Sequence, residues 1–175
     1  GPSGTGKTFA AEVLANDLGP EALLAKVTQP LTGLAIAPYY GCQCLRPYAV
    51  FDDPEAPRAM EGLLQAAGAD LFEWSMGPKC CGASHMNTKM EVGLTLCGAI
   101  LAAAQAADAI VTVCPMCQMN LEGYQKKLSR TAAQAMPTSV LYLPQLLGLA
   151  MGIAERDLKI NLNLAITNEF RDKIG

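Results

Sequence analysis

The chain has 175 residues, of which 51% are hydrophobic and 17% charged, and its formal net charge is −3. This length is enough for one domain with a hydrophobic core. The acidic balance, without a run rich in lysine or arginine, argues against a surface that binds nucleic acid. The apolar runs at residues 92–104 and 141–154 are shorter than the roughly 18 residues of a membrane span, so we predict buried helices there and no membrane span.

The chain contains seven cysteines, an odd number that full disulfide pairing would not satisfy. It opens with Gly-Pro-Ser-Gly rather than with basic residues and an apolar run, so we expect no secretory signal and a cytoplasmic protein. Thiols stay reduced in the cytoplasm. The cysteines are therefore expected to bind metal or to carry redox chemistry rather than to form a disulfide framework.

The first element along the chain is a glycine-rich segment. Residues 1–8 read GPSGTGKT, which fits the Walker A pattern: the loop backbone up to Gly6 would surround phosphates, Lys7 would reach the terminal phosphate, and Thr8 would bind Mg²⁺. Residues 1–19, which include a predicted helix at 9–18, resemble the start of an AAA-type ATPase core. A working P-loop also needs a preceding strand and a later acidic strand end, which no other segment supplies. We therefore expect no ATP turnover here; residual phosphate binding at the helix start is favoured over turnover, and a nucleotide-binding fragment is the alternative.

The remaining segments alternate between short β-branched runs and longer helical patterns. Strands are predicted at residues 33–40, 71–74, 109–114 and 139–142. Helices are predicted at residues 21–28, 55–67, 87–106, 115–128 and 143–153. In the second of these helices, Asp53 would be the cap and Pro54 the first residue.

This alternation predicts an α/β fold, a Rossmann-like parallel sheet with helices on both faces. The loops that carry cysteines follow the carboxyl ends of strands, where open α/β sheets bind their ligands. We predict a cysteine-rich domain at residues 20–156. Residues 157–175 show little pattern and are predicted to be a C-terminal extension.

Five cysteines fall in the loops after the first three strands: Cys42, then Cys80 and Cys81, then Cys114 and Cys117. Thiolates gathered from three loops are the ligands of an iron–sulfur cluster or a zinc ion. The CPMC motif at a helix start favours thiolates, as also in a thioredoxin-like redox pair, but such a pair would leave the two adjacent cysteines unexplained. Adjacent thiolates suit a multi-iron cluster, where each reaches a different iron, better than a single tetrahedral zinc ion. A structural zinc module remains the alternative.

The order GC…CCG…CPxC occurs here within longer stretches: PYYGCQCLRP, FDDPE, KCCGAS, IVTVCPMCQMNL and LPQLLGLAMG. Over residues 19–159 this text resembles the CCG cysteine-rich domain of the heterodisulfide reductase B subunit, in particular its C-terminal CCG half. The spacing between Cys81 and Cys114 is somewhat shorter than is usual in that family.

This resemblance implies a noncubane [4Fe-4S] cluster with five cysteine ligands: Cys42, Cys80, Cys81, Cys114 and Cys117. It implies an iron–sulfur oxidoreductase subunit that reduces the disulfide CoM-S-S-CoB or a related one. The implied partners are electron-supplying subunits of the A and C type. A second CCG half is also implied, because the B subunit of that family carries two CCG domains.

Other residues near the thiols allow both a functional and an ordinary interpretation. We name Cys81 and His85 as candidate catalytic residues, since His85 would donate a proton to a leaving thiolate; a loop histidine without a role is the alternative. The positive charge of Lys79, next to the cysteine pair, would favour thiolates; the alternative is a solvated loop lysine without a role. Cys44 is expected to be a bystander, with substitution for Cys42 as a ligand the alternative, and Cys97 is expected to be a buried packing residue. Arg46, Asp52 and Asp53 are expected to hold the Cys42 loop in place.

Overall fold

The computed structural model describes residues 19–47, 52–132 and 137–175. The Walker A segment with Gly6, Lys7 and Thr8, and the helix predicted at residues 9–18, lie outside the described residues. The described strands form one sheet in the order β2–β1–β3–β4, and all neighbouring strands are parallel. They are β1 (Ala35–Tyr39), β2 (Asp70–Leu71), β3 (Ala109–Thr112) and β4 (Ser139–Tyr142). A strand is present near each of the four predicted positions: β4 has the predicted bounds, whereas β2 shares only Leu71 with the predicted range 71–74.

Helices surround this sheet, as the α/β prediction requires. They are α1 (Gly19–Leu24), α2 (Cys42–Leu45), α3 (Glu61–Ala66), α4 (Met90–Ala103), α5 (Pro115–Gly123), α6 (Gln125–Ala132), α7 (Leu143–Ala150) and α8 (Asn168–Ile174). Short 3₁₀ helices occupy Ala83–His85 and Ile160–Leu162. In the described part of the chain, no helix has both the length and the apolar character to span a bilayer.

The order of the strands creates a crevice at the carboxyl edge of the sheet. The chain runs from β1 outward to β2 and then crosses to β3 on the other side of β1. The loops after the neighbouring strands β1 and β3 therefore run in opposite directions, and the crevice between two such loops is where open α/β sheets bind ligands. The register aligns Tyr39, Thr112 and Tyr142 in one row along this edge. Cysteine-bearing loops follow β1, β2 and β3.

Two predicted helices differ more from the observed ones than the others do. The helix predicted at residues 55–67 begins only at Glu61. The Asp52 carboxylate accepts the backbone N–H groups of Arg58 and Ala59, and this turn replaces the first helical turns. Asp53 accordingly accepts N–H groups within the same turn, and the prediction that it caps the helix is wrong.

The helix predicted at residues 115–128 is two helices, α5 and α6. The first ends at Gly123, a residue with poor helix propensity, and Tyr124 is its C-cap. The second begins at Gln125 and carries its apolar residue Leu128 back toward the core. The break leaves the cysteine-bearing helix α5 short.

The final residues of the chain pack against the sheet. Ile160 and Phe170 are fully buried in the core. The backbone N–H of Val140 in the edge strand β4 donates to the carbonyl of Ala165, and Asn163 Nδ2 donates to the carbonyl of Val140. The segment therefore covers backbone groups that an edge strand otherwise exposes.

Candidate metal centre

The five predicted ligands converge at the carboxyl edge of the sheet. Cys42 begins α2 after β1, Cys80 and Cys81 lie in the irregular loop after β2, and Cys114 and Cys117 lie at the start of α5 after β3. None of the seven cysteines, all within the described part of the chain, forms a disulfide. The predicted meeting of three loops at one edge is what the structure shows.

The two adjacent cysteines face different partners. Cys80 Sγ lies 3.7 Å from Cys42 Sγ. Cys81 Sγ lies 3.5 Å from Cys117 Sγ. The two cysteines that are adjacent in sequence thus belong to different thiol pairs, so they are not directed at a single common position. This arrangement is the one expected if each of the two thiolates binds a different metal ion of a cluster.

Glycines allow the loops to approach this closely. Gly41 has φ 70°, and a Cβ atom there would lie 2.6 Å from Cys117 Sγ. Gly82, directly after Cys81, has φ 77°, and its Cβ atom would lie 2.7 Å from the Cα of Gly93 in α4. Both positions need the left-handed conformation and the missing side chain that only glycine supplies. The GC and CCG motifs thus have a steric reason beyond their thiols.

Three of the thiols share hydrogen bonds that redistribute their charge. Hydrogen bonding to Cys117 lowers the pKa of Cys81 to about 7 and, together with the N–H groups of Met116 and Cys117, that of Cys114 to about 6. The same two hydrogen bonds raise the pKa of Cys117, which keeps its proton. The hydrogen bond with the Cys117 thiol, together with the backbone N–H groups at the start of α5, therefore favours a thiolate at Cys114, the form that binds metal.

The fourth and fifth thiols lie in a different environment. Burial, followed by the neighbouring thiol of Cys80, raises the pKa of Cys42 to about 11. Cys42 and Cys80 are half-buried, whereas Cys81, Cys114 and Cys117 are only 2–3% exposed. The centre therefore has a closed side and a more open side.

The other residues that the sequence singled out near the thiols lie in four different environments. His85 is half-buried at the end of the 3₁₀ helix Ala83–His85, and among the described residues no hydrogen bond joins its imidazole to one of the five thiols. The side chain of Lys79 is exposed. Cys97 is fully buried in α4, as predicted, and its Sγ contacts the carbonyl of Asn120 at 3.5 Å. Cys44 is buried on α2, two residues after Cys42 and therefore on the other side of that helix.

The structure confirms part of the prediction that Arg46, Asp52 and Asp53 hold the Cys42 loop in place. Arg46, which follows α2, donates to the carbonyl of Pro54 at 3.2 Å and pairs with the Glu55 carboxylate. Asp52 organises the turn that carries these two residues. These contacts fasten the loop to the next segment of the chain.

Sequence reasoning missed two buried residues, Tyr39 and Asn120. Tyr39 Oη donates to the carbonyl of Lys79 at 2.7 Å, and Asn120 Nδ2 donates to the carbonyl of Cys81 at 2.9 Å. One signal was present in the sequence: Asn120 follows Cys117 by three residues in a helix, so both lie on the same face. Tyr39 ends an apolar strand, where its phenol could not be told from packing.

A cleft of about 600 Å³ opens beside α5. Val113 and Pro115, the neighbours of Cys114, form part of its lining, and the exposed side chains of Met119, Leu162 and Leu164 make its wall apolar. Gln118 also lines it, and its buried Oε1 has no hydrogen-bond partner among the described residues. The cleft thus combines apolar walls with a polar group next to the thiols.

The residues present fit an iron–sulfur group by the chemistry of their donors. Five thiols from three loops meet in a largely buried crevice, and Gly41 leaves the space beside Cys117 that a side chain would fill. In the described ranges, no group of three or more His, Cys, Asp or Glu side chains is arranged to hold a single metal ion, so the fit rests on the thiol pairs as donors to a cluster of several irons.

Known proteins share this segment and this fold. Residues 36–122, which include all seven cysteines, match the family described as "Cysteine-rich domain" (CCG). A crystal structure of a hypothetical protein from Helicobacter pylori is similar in fold, with a TM-score of 0.64 and 14% identity over 86% of this chain and 28% of that one.

Two relatives are reductase subunits by name. The 8-methylmenaquinol:fumarate reductase membrane anchor subunit of Wolinella succinogenes is 35% identical over 82% of this chain and 52% of its own length. The B subunit of the ferredoxin/F420H2-dependent CoB-CoM heterodisulfide reductase of Methanosarcina acetivorans is 32% identical over 93% of this chain and 56% of its own length. The chain thus spans about half the length of these relatives. It contains a cysteine-rich domain of the CCG family and is a homologue of the heterodisulfide reductase B subunit.

Proposed function

We propose that this chain is an iron–sulfur redox subunit that transfers electrons to a disulfide. The observation that carries the proposal is the orientation of the adjacent thiols, since Cys80 faces Cys42 while Cys81 faces Cys117. Cys42, Cys80, Cys81, Cys114 and Cys117 would hold a [4Fe-4S] cluster, of the noncubane type that the resemblance to heterodisulfide reductase implies. Such a cluster, when bound, supplies one-electron transfer at a potential set by its surroundings.

The protein contributes ligation, exclusion of water and a proton source. Cleavage of a disulfide to two thiols consumes two electrons and two protons, so a proton donor is needed near the sulfur that leaves. His85, four residues after Cys81 and half-buried, is the proposed donor. The apolar cleft beside Cys114 is the proposed path by which the disulfide approaches the thiols.

The electrons and the rest of the catalytic centre would come from partners. The subunit names of the relatives support a multi-subunit assembly. We propose electron-supplying subunits of the A and C type and a second CCG half as these partners. The disulfide itself, CoM-S-S-CoB or a related one, and the cytoplasmic location remain part of the proposal.

The test is the metal and sulfide content of the chain purified without oxygen. We expect about four irons and four acid-labile sulfides per chain, a visible absorbance, and the loss of both in Cys81→Ser. Zinc in place of iron, with no visible band, would make the chain a structural zinc module. An absence of both metals from well-folded protein would overturn the proposal as well.

A further inference from the structure

The loop that carries Cys80 and Cys81 is irregular, yet two side chains hold its backbone. Tyr39 Oη donates to the carbonyl oxygen of Lys79 at 2.7 Å, and Asn120 Nδ2 donates to the carbonyl oxygen of Cys81 at 2.9 Å. One carbonyl belongs to the peptide unit before Cys80 and the other to the unit after Cys81. The two donors therefore fix the peptide units on both sides of the thiol pair.

Both donors are buried, so their partners matter. Tyr39 is 0% and Asn120 is 1% exposed. A buried phenol or carboxamide that loses its partner is left with an unsatisfied polar group. In this chain the hydroxyl and the amide are directed at backbone carbonyls of the one loop in the centre that has no helix or strand to hold it.

The elements that carry these donors also carry the other thiols. Tyr39 is the last residue of β1, and the chain continues from it to Cys42. Asn120 lies on α5, one turn after Cys117. Each hydrogen bond thus joins the loop of Cys80 and Cys81 to an element that positions one of their two partners.

The orientation of the two thiols depends closely on the backbone around Cys80. The N–H of Gly82 contacts Cys80 Sγ at 3.3 Å, while Cys81 Sγ lies against Cys117. Rotation of the peptide units beside Cys80 and Cys81 would turn both thiols away from their partners at once. The orientation of the pair therefore depends on what fixes those units.

We propose that Tyr39 and Asn120 are positioning residues of the metal centre. They hold the Cys80–Cys81 backbone so that one thiol faces Cys42 and the other faces Cys117. The inference rests on the proposed function for the identity of the bound group, while the holding of the loop itself does not depend on it.

The experiment compares Tyr39→Phe and Asn120→Leu with a matched control, Tyr40→Phe. Tyr40 is the next residue, is 1% exposed, and its Oη accepts the backbone N–H of Met60, the residue before α3, at 3.0 Å. Two quantities are measured: hydrogen exchange of the amides at residues 81–83 in metal-free protein, and the rate of iron release to a chelator from anoxically purified protein.

We expect Tyr39→Phe and Asn120→Leu to speed amide exchange in the loop and to weaken iron retention by about 10- to 100-fold, the usual effect of losing an outer-shell hydrogen bond. Tyr40→Phe should change neither quantity. The proposal is overturned if all three variants behave alike, or if the loop amides already exchange freely in the wild type. Should Asn120→Leu unfold, Tyr39→Phe decides alone, because it removes a single oxygen atom.

These readouts separate the positioning role from the proposed function. A wild-type chain without iron refutes the iron–sulfur proposal, and the exchange data still decide whether the two side chains hold the loop. A wild-type chain with iron, but with Tyr39→Phe and Asn120→Leu indistinguishable from the control, refutes the positioning role alone.

Discussion

The two edges of the sheet gather polar groups in contrasting ways. At the amino edge, the Asp108 carboxylate accepts the N–H of Ala35 at 2.8 Å and the ammonium of Lys173 at 2.7 Å. At the carboxyl edge, thiols face thiols at 3.5–3.7 Å. The carboxylate finds two strong hydrogen-bond donors within its own chain, whereas thiols that meet one another have only weak hydrogen bonds. The first cluster stabilises the fold, and the second has the character of a binding site.

The largest effect that separates the two edges is expected from glycine substitutions. Gly41→Ala should remove most of the bound iron, because its Cβ would lie 2.6 Å from Cys117 Sγ. Gly33→Ala near the amino edge is the matched control, since Gly33 also has positive φ but meets no atom within 4 Å. Both should lose about 1–2 kcal/mol of unfolding free energy through backbone strain. Equal iron content in the two variants would break the distinction between the edges.

The next effect concerns the amino edge. Asp108→Ala should lower the free energy of unfolding in urea by about 1.5–3 kcal/mol, because it leaves the N–H of Ala35 without a charged acceptor. Lys173→Met, which breaks the half-exposed ion pair and a 3.4 Å hydrogen bond to the carbonyl of Gly33, should cost about 0–1 kcal/mol. Iron content per folded chain should stay at the wild-type value in both. A loss of iron in Asp108→Ala would show that the two edges are not independent.

The smallest expected effect is a pH dependence of the folding stability, caused by Glu122 beside the cleft. Burial raises the pKa of the Glu122 carboxyl above its ordinary value of 4.5, so the folded chain holds this proton more tightly than the unfolded chain does. The stabilising contribution is complete below pH 4.5 and is lost as the pH rises through the folded pKa. Glu122→Gln should therefore raise the melting temperature more at pH 8 than at pH 4.

The control for this prediction is Glu91→Gln, which changes an exposed carboxylate on α4. In this variant, the difference between the melting temperatures at pH 4 and pH 8 should be the same as in the wild type. A Glu122→Gln variant whose melting temperature shifts equally at pH 4 and pH 8 would contradict the expected direction of the effect.

The architecture was predictable because it depends on repeating local patterns. Alternation of β-branched runs with helical patterns indicated the parallel sheet, and β4 was predicted to the residue. The meeting of Cys42, Cys81 and Cys117 at one edge followed from the same rule, since the carboxyl ends of parallel strands share an edge.

The details that failed or were missed depend on tertiary contacts. A helix was predicted across residues 55–60, but the Asp52 carboxylate binds the backbone there and holds a turn. The orientation of the adjacent thiols could not be read from a CCG motif, because it depends on donors 40 and 39 residues away, Tyr39 and Asn120. Long-range hydrogen bonds to an irregular loop leave no periodic signal in the sequence.

The central claim is that five of the seven cysteines form one metal centre. The most direct measurement is the iron and acid-labile sulfide content of seven anoxically purified variants, each with one cysteine changed to serine. Cys44→Ser and Cys97→Ser should keep the wild-type content, since Cys97 Sγ contacts the carbonyl of Asn120 and Cys44, two residues after Cys42, lies on the other side of α2. Changes at Cys42, Cys80, Cys81, Cys114 and Cys117 should each lower it. Equal iron content across all seven variants would contradict the account.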